Sequence, residues 1–476
     1  MAVIFTATYT CNGGFKLSEL MHKFKRLDMN IVVDPVSGSI HVVDDIVYDI
    51  LDYYGSYNND DIVNFLRNKY NEDDIKDAIK EIDELKENGA IFTEDIYKDI
   101  TNVRGDSVIK AMCLNVAHDC NLRCKYCFAS TGDFKGGRKL MDFETGKKAI
   151  DFLIKSSGKR RVVEVDFFGG EPLLNFDVVK QLVEYGKEQA KKNGKIIKYT
   201  ITTNAVLLDD EKIKYFNETF TNVVLSLDGR KEVNDNMRVR IDGSGTYDVI
   251  APKIKKFVES RGEKEYYVRG TFTAKNLDFA ADALHIADLG VYEVSVEPVV
   301  EKDNKDYTLK EEHLEKIFSE YDRLAEEYIK RYEEGNPFSF YHFKINLDNG
   351  PCIRKRLQGC GAGFEYIAVT PDGEIYPCHQ FVGIDEFKMG DLEHGIVEKE
   401  MQQNFIESDI YKREECTKCW ARFLCSGGCY ANNYNINGDI NKPYDLACEM
   451  QKRRFENAIA IKAYKLLKGD DNDKKI

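Results

Sequence analysis

Cys120-Asn121-Leu122-Arg123-Cys124-Lys125-Tyr126-Cys127-Phe128 sets three thiols in a C-x3-C-x2-C spacing on one short stretch. It follows the apolar run Ala111–Val116, which reads as a buried strand. Further apolar, β-branched runs come at Val162–Phe168, Ile196–Thr202, Val223–Leu227, Tyr266–Thr273 and Tyr292–Val296. Between them lie amphipathic stretches such as Phe143–Lys155, Val178–Lys191, Ile250–Glu259 and Leu309–Tyr332. This alternation over residues 108–335 predicts an α/β fold with a parallel sheet, either an incomplete barrel or an open doubly wound sheet. In such folds the chemistry collects beyond the C-terminal ends of the strands. Cys120, Cys124 and Cys127 follow the first strand, Gly169-Gly170-Glu171 the second, Asn204 the third and Asp228-Gly229 the fourth. All four features fall on one rim.

Eight more of the 13 cysteines form a second group: Cys352, Cys360, Cys378, Cys416, Cys419, Cys425, Cys429 and Cys448. Thiolates at ligand spacing argue for metal, and a three-plus-eight grouping argues for iron–sulfur clusters. Three cysteines on one loop hold three irons of a cubane and leave the fourth open. Structural zinc, as a single site or as paired zinc ribbons, is the competing reading of the C-x2-C pairs. The formal charge of −14 and the pI near 5.3 leave no basic stripe for nucleic acid. No uncharged apolar run is long enough to span a bilayer, and the start lacks signal-peptide features. A cytoplasmic protein is expected, where disulfides are disfavoured.

Residues 21–100 read as a small winged-helix-like module. Ile31–Asp34 and Ser39–Val43 are two strands joined by the turn Pro35-Val36-Ser37-Gly38. Three helices follow, carrying Ile46, Ile50 and Tyr53, then Ile62, Phe65 and Leu66, then Ile75, Ile79, Ile82 and Leu85. Asn71 caps the third and Asn88-Gly89 ends it. Nine Lys and Arg against nineteen Asp and Glu make DNA binding by this module improbable. Residues 350–460 are loop-rich, with too few apolar runs for a core of their own, so metal cross-links are expected to stabilise them. A charged helix, Glu449–Leu467, and an Asp/Lys tail are expected at the end, with 461–476 read as tail. Residues 1–20, including Cys11, are unassigned, and Met21 is a candidate natural start. Cys113, in the first strand, reads as a small buried side chain.

The three-cysteine stretch resembles the signature of the radical S-adenosylmethionine (SAM) enzymes. Gly169-Gly170-Glu171-Pro172 is similar to that family's GGEP element, whose backbone and Glu oxygen accept from the SAM amino group. Asn204 and Ser226 resemble polar positions that reach the SAM ribose. Asp228-Gly229 with Asn234-Asp235-Asn236-Met237-Arg238 resembles the SxDG…HDxxR stretch. Arg238 would pair with the SAM carboxylate, a task for a fixed guanidinium, and Asn234 stands where the family's His is usual. Tyr126, inside the signature, is counted with the SAM-binding residues. The fold implied is a partial (β/α)6 TIM-like barrel.

The second cysteine group resembles a SPASM domain carrying two auxiliary [4Fe-4S] clusters, which makes three clusters in all. The resemblance implies Cys352, Cys360, Cys378 and Cys429 for the inner cluster and Cys416, Cys419, Cys425 and Cys448 for the outer. If Cys352 does not bind, the inner cluster keeps an open iron for an outside thiolate. His379 stands where sulfatase maturases carry an Asp proposed as a base, and otherwise reads as a polar residue near a cluster. The N-terminal module resembles the leader-peptide recognition element of peptide maturases, which pairs a strand with an extended peptide. The run from His22 to Asp45 is similar to the opening of maturases for SCIFF peptides, which are ranthipeptides.

Together these resemblances imply a thioether synthase. It would link Cys sulfur to a Thr carbon in a Cys-rich precursor with an N-terminal leader, using flavodoxin or ferredoxin as reductant. Another SPASM maturase, forming C–C links or oxidising a protein side chain, and a non-catalytic electron-transfer or zinc-stabilised peptide-binding protein are the alternatives.

Overall fold

The computed structural model describes residues 2–5, 21–98, 108–347 and 352–469. Cys11 and the final residues of the tail lie outside the described residues.

The N-terminal module is a four-stranded antiparallel sheet under three helices. Its strands are β1 (Ala2–Phe5), β2 (His22–Arg26), β3 (Met29–Val33) and β4 (Ile40–Val43), in the order β1-β4-β3-β2. The hairpin expected at residues 31–43 is present. Strand β2 and the pairing of residues 2–5 with β4 were not foreseen, because neither segment alternates strongly enough to stand out. Helices α1 (Asp45–Ile50), α2 (Asn59–Leu66) and α3 (Glu72–Glu87) follow, and Asn71 accepts from the Asp73 N–H as the cap of α3. On α2 the buried set is Ile62, Val63 and Leu66, while Phe65, expected on the inner face, is exposed. The inner face runs through Ile62 and Leu66 but leans to the side of Val63, which turns Phe65 outward.

The central layer begins with β5 (Ala111–His118), the antiparallel β6 (Lys139–Leu140) and α4 (Phe143–Ser156). It continues through β7 (Val162–Gly169), α5 (Phe176–Lys192), β8 (Ile196–Thr203), α6 (Asp210–Thr219) and β9 (Asn222–Ser226). Then come α7 (Lys231–Met237), α8 (Tyr247–Arg261), β10 (Tyr266–Phe272), α9 (Phe279–Asp288), β11 (Glu293–Pro298), α10 (Leu314–Glu333) and β12 (Ser339–Phe340). All six strands expected here form, in the order β11-β10-β9-β8-β7-β5, and every neighbouring pair is parallel. Strand β5 is buried at every position, as a central parallel strand must be. The helices cover one side of the sheet, with Ile150, Leu153, Leu182, Ile254 and Leu324 in a single core with the strands. The result is a partial barrel whose C-terminal strand ends share one rim.

Beyond residue 352 the elements are α11 (Ile353–Gln358), β13 (Tyr366–Val369), β14 (Glu374–Tyr376), β15 (Gly390–Asp391) and β16 (Gly395–Ile396). Helices α12 (Lys399–Glu407), α13 (Glu414–Thr417), α14 (Arg422–Cys425), α15 (Tyr430–Asn437) and α16 (Asp445–Leu467) complete the chain. This region is less separate than its loop-rich composition suggested. Strand β13 pairs in parallel with β5, and β14 to β16 extend the same sheet by antiparallel pairs. The closing helix, expected to end at Leu467, does so in α16, and its residues 461–467, grouped with the tail in the domain reading, include buried Ile461 and Ala463. Their apolar partners come from elsewhere in the fold, so helical periodicity along α16 alone did not reveal them.

Candidate active site

The loop after β5 is pinned before any cofactor is considered. Backbone N–H groups of Arg123 and Lys125 donate to the carbonyls of Val239 and Met237, and the Arg123 guanidinium caps the Cys120 and Leu122 carbonyls. The loop is thereby held against the end of α7. Beside it, Gly169 (φ +133°) ends β7 so close to β5 that a Cβ would sit 2.2 Å from the Ala117 carbonyl oxygen. At Gly170 a Cβ would lie 2.3 Å from the Asp119 carbonyl oxygen. Only glycine allows this backbone to line the pocket next to the cysteines.

Arg238 is buried, and its Nη1 donates to the Tyr126 hydroxyl at 3.0 Å. That hydroxyl donates to Asp228 Oδ2 at 2.6 Å, and Asp228 also accepts from the Thr271 N–H. Arg238 Nε is buried without a hydrogen-bond partner among the described residues, and the residue lines the cavity beside the cysteines. Burial pushes the Asp228 carboxyl up to about 6, against the opposing charge of Arg238. Asn234, in the position of the family's His, accepts from the Asp228 N–H and donates to Thr246 Oγ1 at 2.9 Å. It braces the turn after β9.

Glu171 is the position where the structure departs from the resemblance. Its carboxylate is fully buried and accepts from the Leu173 N–H at 3.0 Å, the Thr203 hydroxyl at 2.8 Å and the Asn204 N–H at 2.8 Å. It clips the end of β7 to the end of β8 and does not line the cavity. Burial pushes it up to about 6 in spite of those bonds.

A cavity of about 650 Å³ opens on this rim. Cys120, Cys124, Cys127, Tyr126, Gly169, Gly170, Asn204, Ser226 and Arg238 line one end. Cys425, Cys429 and Cys448 line the other, with His379 on the wall between. Asn204 Nδ2 donates to Asn121 Oδ1 at 2.7 Å, and the side chain lies against Cys120. Four cavity residues gave no sequence signal of a site: Arg269 on β10, Glu297 on β11, His342 and Arg454 on α16. The Arg454 guanidinium donates to His342 Nδ1 at 3.0 Å. Guanidinium nitrogen is a donor only, so the His342 proton sits on Nε2 and is given to Glu297 Oε1 at 3.2 Å. Charged residues at successive strand ends were the only available clue, and such residues are common on any surface.

The cysteines converge as three sets. Burial pushes Cys120 up to about 12 and Cys124 to about 11, and each is raised further by the charge of Cys127. Cys378 is raised by burial and then by Cys429 and Cys360. Cys448 is pushed up to about 12 by burial and then by Cys425, Cys416 and Cys419. Buried thiols grouped in this way have the sulfur donor chemistry that iron–sulfur clusters take. Cys352, at the start of α11, and Cys360, just past its end, are both exposed, and the charges that raise Cys378 come from Cys429 and Cys360. His379 is pushed down to about 4 by burial, and its Nδ1 lies 3.2 Å from the Tyr366 hydroxyl. Cys113 is buried beside Tyr366.

A family model described as the radical SAM superfamily matches residues 114–273, and one described as the SPASM iron–sulfur cluster-binding domain matches residues 360–420. The chain carries a radical SAM domain followed by a SPASM domain. The radical SAM/SPASM chain is 26% identical over 370 residues to a cysteine-type anaerobic sulfatase-maturating enzyme of Clostridium novyi, covering 73% of this chain and 94% of that one. It is 23% identical over 475 residues to the radical SAM cyclopropyl synthase TigE of Paramaledivibacter caminithermalis, covering 92% and 94%. Among solved structures, native anSMEcpe with bound AdoMet has the same fold, with a TM-score of 0.62, 21% identity and coverage of 74% of this chain and 98% of that one. Among the described residues no helix is long and apolar enough to cross a membrane.

Proposed function

We propose that this radical SAM/SPASM enzyme is a peptide maturase that closes thioether bonds between Cys sulfur and a Thr carbon in a SCIFF-type, Cys-rich precursor. The observation that carries the reading is the single cavity running from the three-cysteine loop to Cys429, beside a strand-bearing N-terminal module. When bound, SAM and three [4Fe-4S] clusters supply a 5′-deoxyadenosyl radical that takes a hydrogen atom, and a sink for the electron left when the bond closes. Cys120, Cys124 and Cys127 hold the first cluster. Arg238, steadied by Tyr126 and Asp228, holds the SAM carboxylate, while Gly169, Gly170, Asn204 and Ser226 shape its bed. Cys360, Cys378 and Cys429 would hold the inner cluster, with Cys352 or a substrate thiolate as the further donor. Cys416, Cys419, Cys425 and Cys448 would hold the outer one, and a flavodoxin or ferredoxin would serve as the reductant.

The leader adds as a strand to the module, raising the core peptide's concentration at the cavity. The β2 edge faces α16, so the leader enters at the other end of the sheet, where Ala2–Phe5 now pairs with β4. One named relative is a sulfatase-maturating enzyme and another a cyclopropyl synthase. His379, in place of an acidic residue beside Cys378, favours the peptide reading over formylglycine formation.

Anaerobic reconstitution with SAM, reductant and a Cys-rich peptide encoded beside the gene tests this by mass spectrometry. Loss of two hydrogens per bridge is expected. SAM cleavage with an unchanged peptide mass would remove the substrate assignment while leaving the radical SAM chemistry intact.

A further inference from the structure

The N-terminal module touches the outer cysteine loop at three independent places. His22, on β2, stacks on Trp420, which follows Cys419 directly, with ring centroids 3.9 Å apart and planes within 4°. The same imidazole bonds Glu456 of α16 at 3.0 Å, and that carboxylate also receives Arg26 of the module. Asp95, in the segment after α3, accepts from Arg422 at 3.2 Å and from the Tyr411 hydroxyl at 2.8 Å. Arg422 in turn donates to the Cys419 carbonyl at 3.1 Å, so the clasp reaches the backbone of a ligand residue. Third, Val36 from the module's hairpin turn packs in one apolar cluster with Ile410, Cys416 and Phe423, and Tyr97 sets its ring edge against Phe423.

We infer that the N-terminal module has a second function besides receiving peptide: it is the outer wall of the site formed by Cys416, Cys419, Cys425 and Cys448. Helices α13 and α14, which carry Cys416 and Cys425, have four residues each, too short to hold a shape alone. The module supplies what they lack, a charged clasp at Asp95, an aromatic lid at His22 and an apolar cover at Val36. A site closed in this way gains its metal by tertiary packing, and removing the wall exposes it to solvent and dioxygen. The inference rests on reading those four cysteines as a cluster site. It does not depend on the thioether assignment.

The test uses the full chain, reconstituted anaerobically with iron and sulfide. Variants H22A, D95A and their combination are compared with the parent and with C419S, which removes a ligand outright. Iron and sulfide per chain, bleaching of the near-400 nm absorbance in air, and SAM binding are measured. The combined variant is expected to lose about four irons and to bleach severalfold faster, with SAM binding unchanged and no further loss when C419S is added. Unchanged iron and bleaching overturn the proposal, as does a parallel loss of iron and SAM binding. If the combined variant fails to fold, D95N is read by the same criteria, because it keeps an acceptor for Tyr411 and drops the charge facing Arg422. A parent that takes up zinc and no iron would instead remove the cluster reading itself.

Discussion

Among single residues, Arg238 carries the clearest consequence. It is buried, bonded to Tyr126 and lines the cavity beside the three-cysteine loop. R238A is expected to weaken SAM binding by roughly ten- to a hundredfold, the scale of a lost hydrogen bond to a charged group. R238K should not restore it, because a point charge lacks the planar fork; equilibrium dialysis with SAM reads both. Cys352 gives the opposite expectation. C352S should keep the iron content of the parent, whereas C360S, C378S or C429S should each lose about four irons. Iron loss in C352S equal to theirs would put Cys352 among the inner ligands. The cysteines were legible by their spacing and Asn204 by its place just after a strand, whereas Ser226 and Arg238 were named through the family resemblance. The inward turn of Glu171 was not legible, since its partners Thr203 and Asn204 arrive from the next strand.

At the level of elements, the strands were easier to read than the helices. Apolar β-branched runs bounded by polar residues marked β5, β7, β8, β9, β10 and β11 to within a residue or two. The short β12 and β13 were missed because a strand of two or four residues has no period to detect. Inside β7, Asp166 interrupts the apolar series, and burial pushes its carboxyl up to about 6 from 3.8. A raised carboxyl pKa means that the fold prefers the neutral form, so stability falls as the pH rises from about 4 to about 6 and is level above. Full burial would make the loss about 3 kcal/mol, and solvent at its partly open side reduces that. D166N should remove this component, seen as a flatter dependence of the denaturation midpoint on pH over that interval. An equal slope in both proteins would assign the effect elsewhere.

Over the whole molecule, α16 joins parts that are far apart in sequence. It packs along α10 of the barrel, contacts β2 of the N-terminal module and carries Cys448 of the outer set. Ile459 and Ala460 complete an apolar cluster with Phe24, Ile31, Val33 and Ile40 of the module. Ile459 is fully buried, so I459A should cost about 3 kcal/mol. Because the cluster is shared, hydrogen exchange should quicken in β2 to β4 together with α16. Faster exchange confined to α16 would show the module to be held by other contacts.

The sequence by itself determined the β/α rhythm, the rim on which the chemistry gathers, and the three-plus-eight grouping of thiols. These follow from local periodicity and from residue types that serve few other purposes. Tertiary structure alone decided that Glu171 faces inward. It also decided that residues after 352 extend the barrel sheet and that the N-terminal module closes over the outer cysteines. Each of these depends on contacts between segments separated by dozens to hundreds of residues, and no local pattern encodes such a meeting.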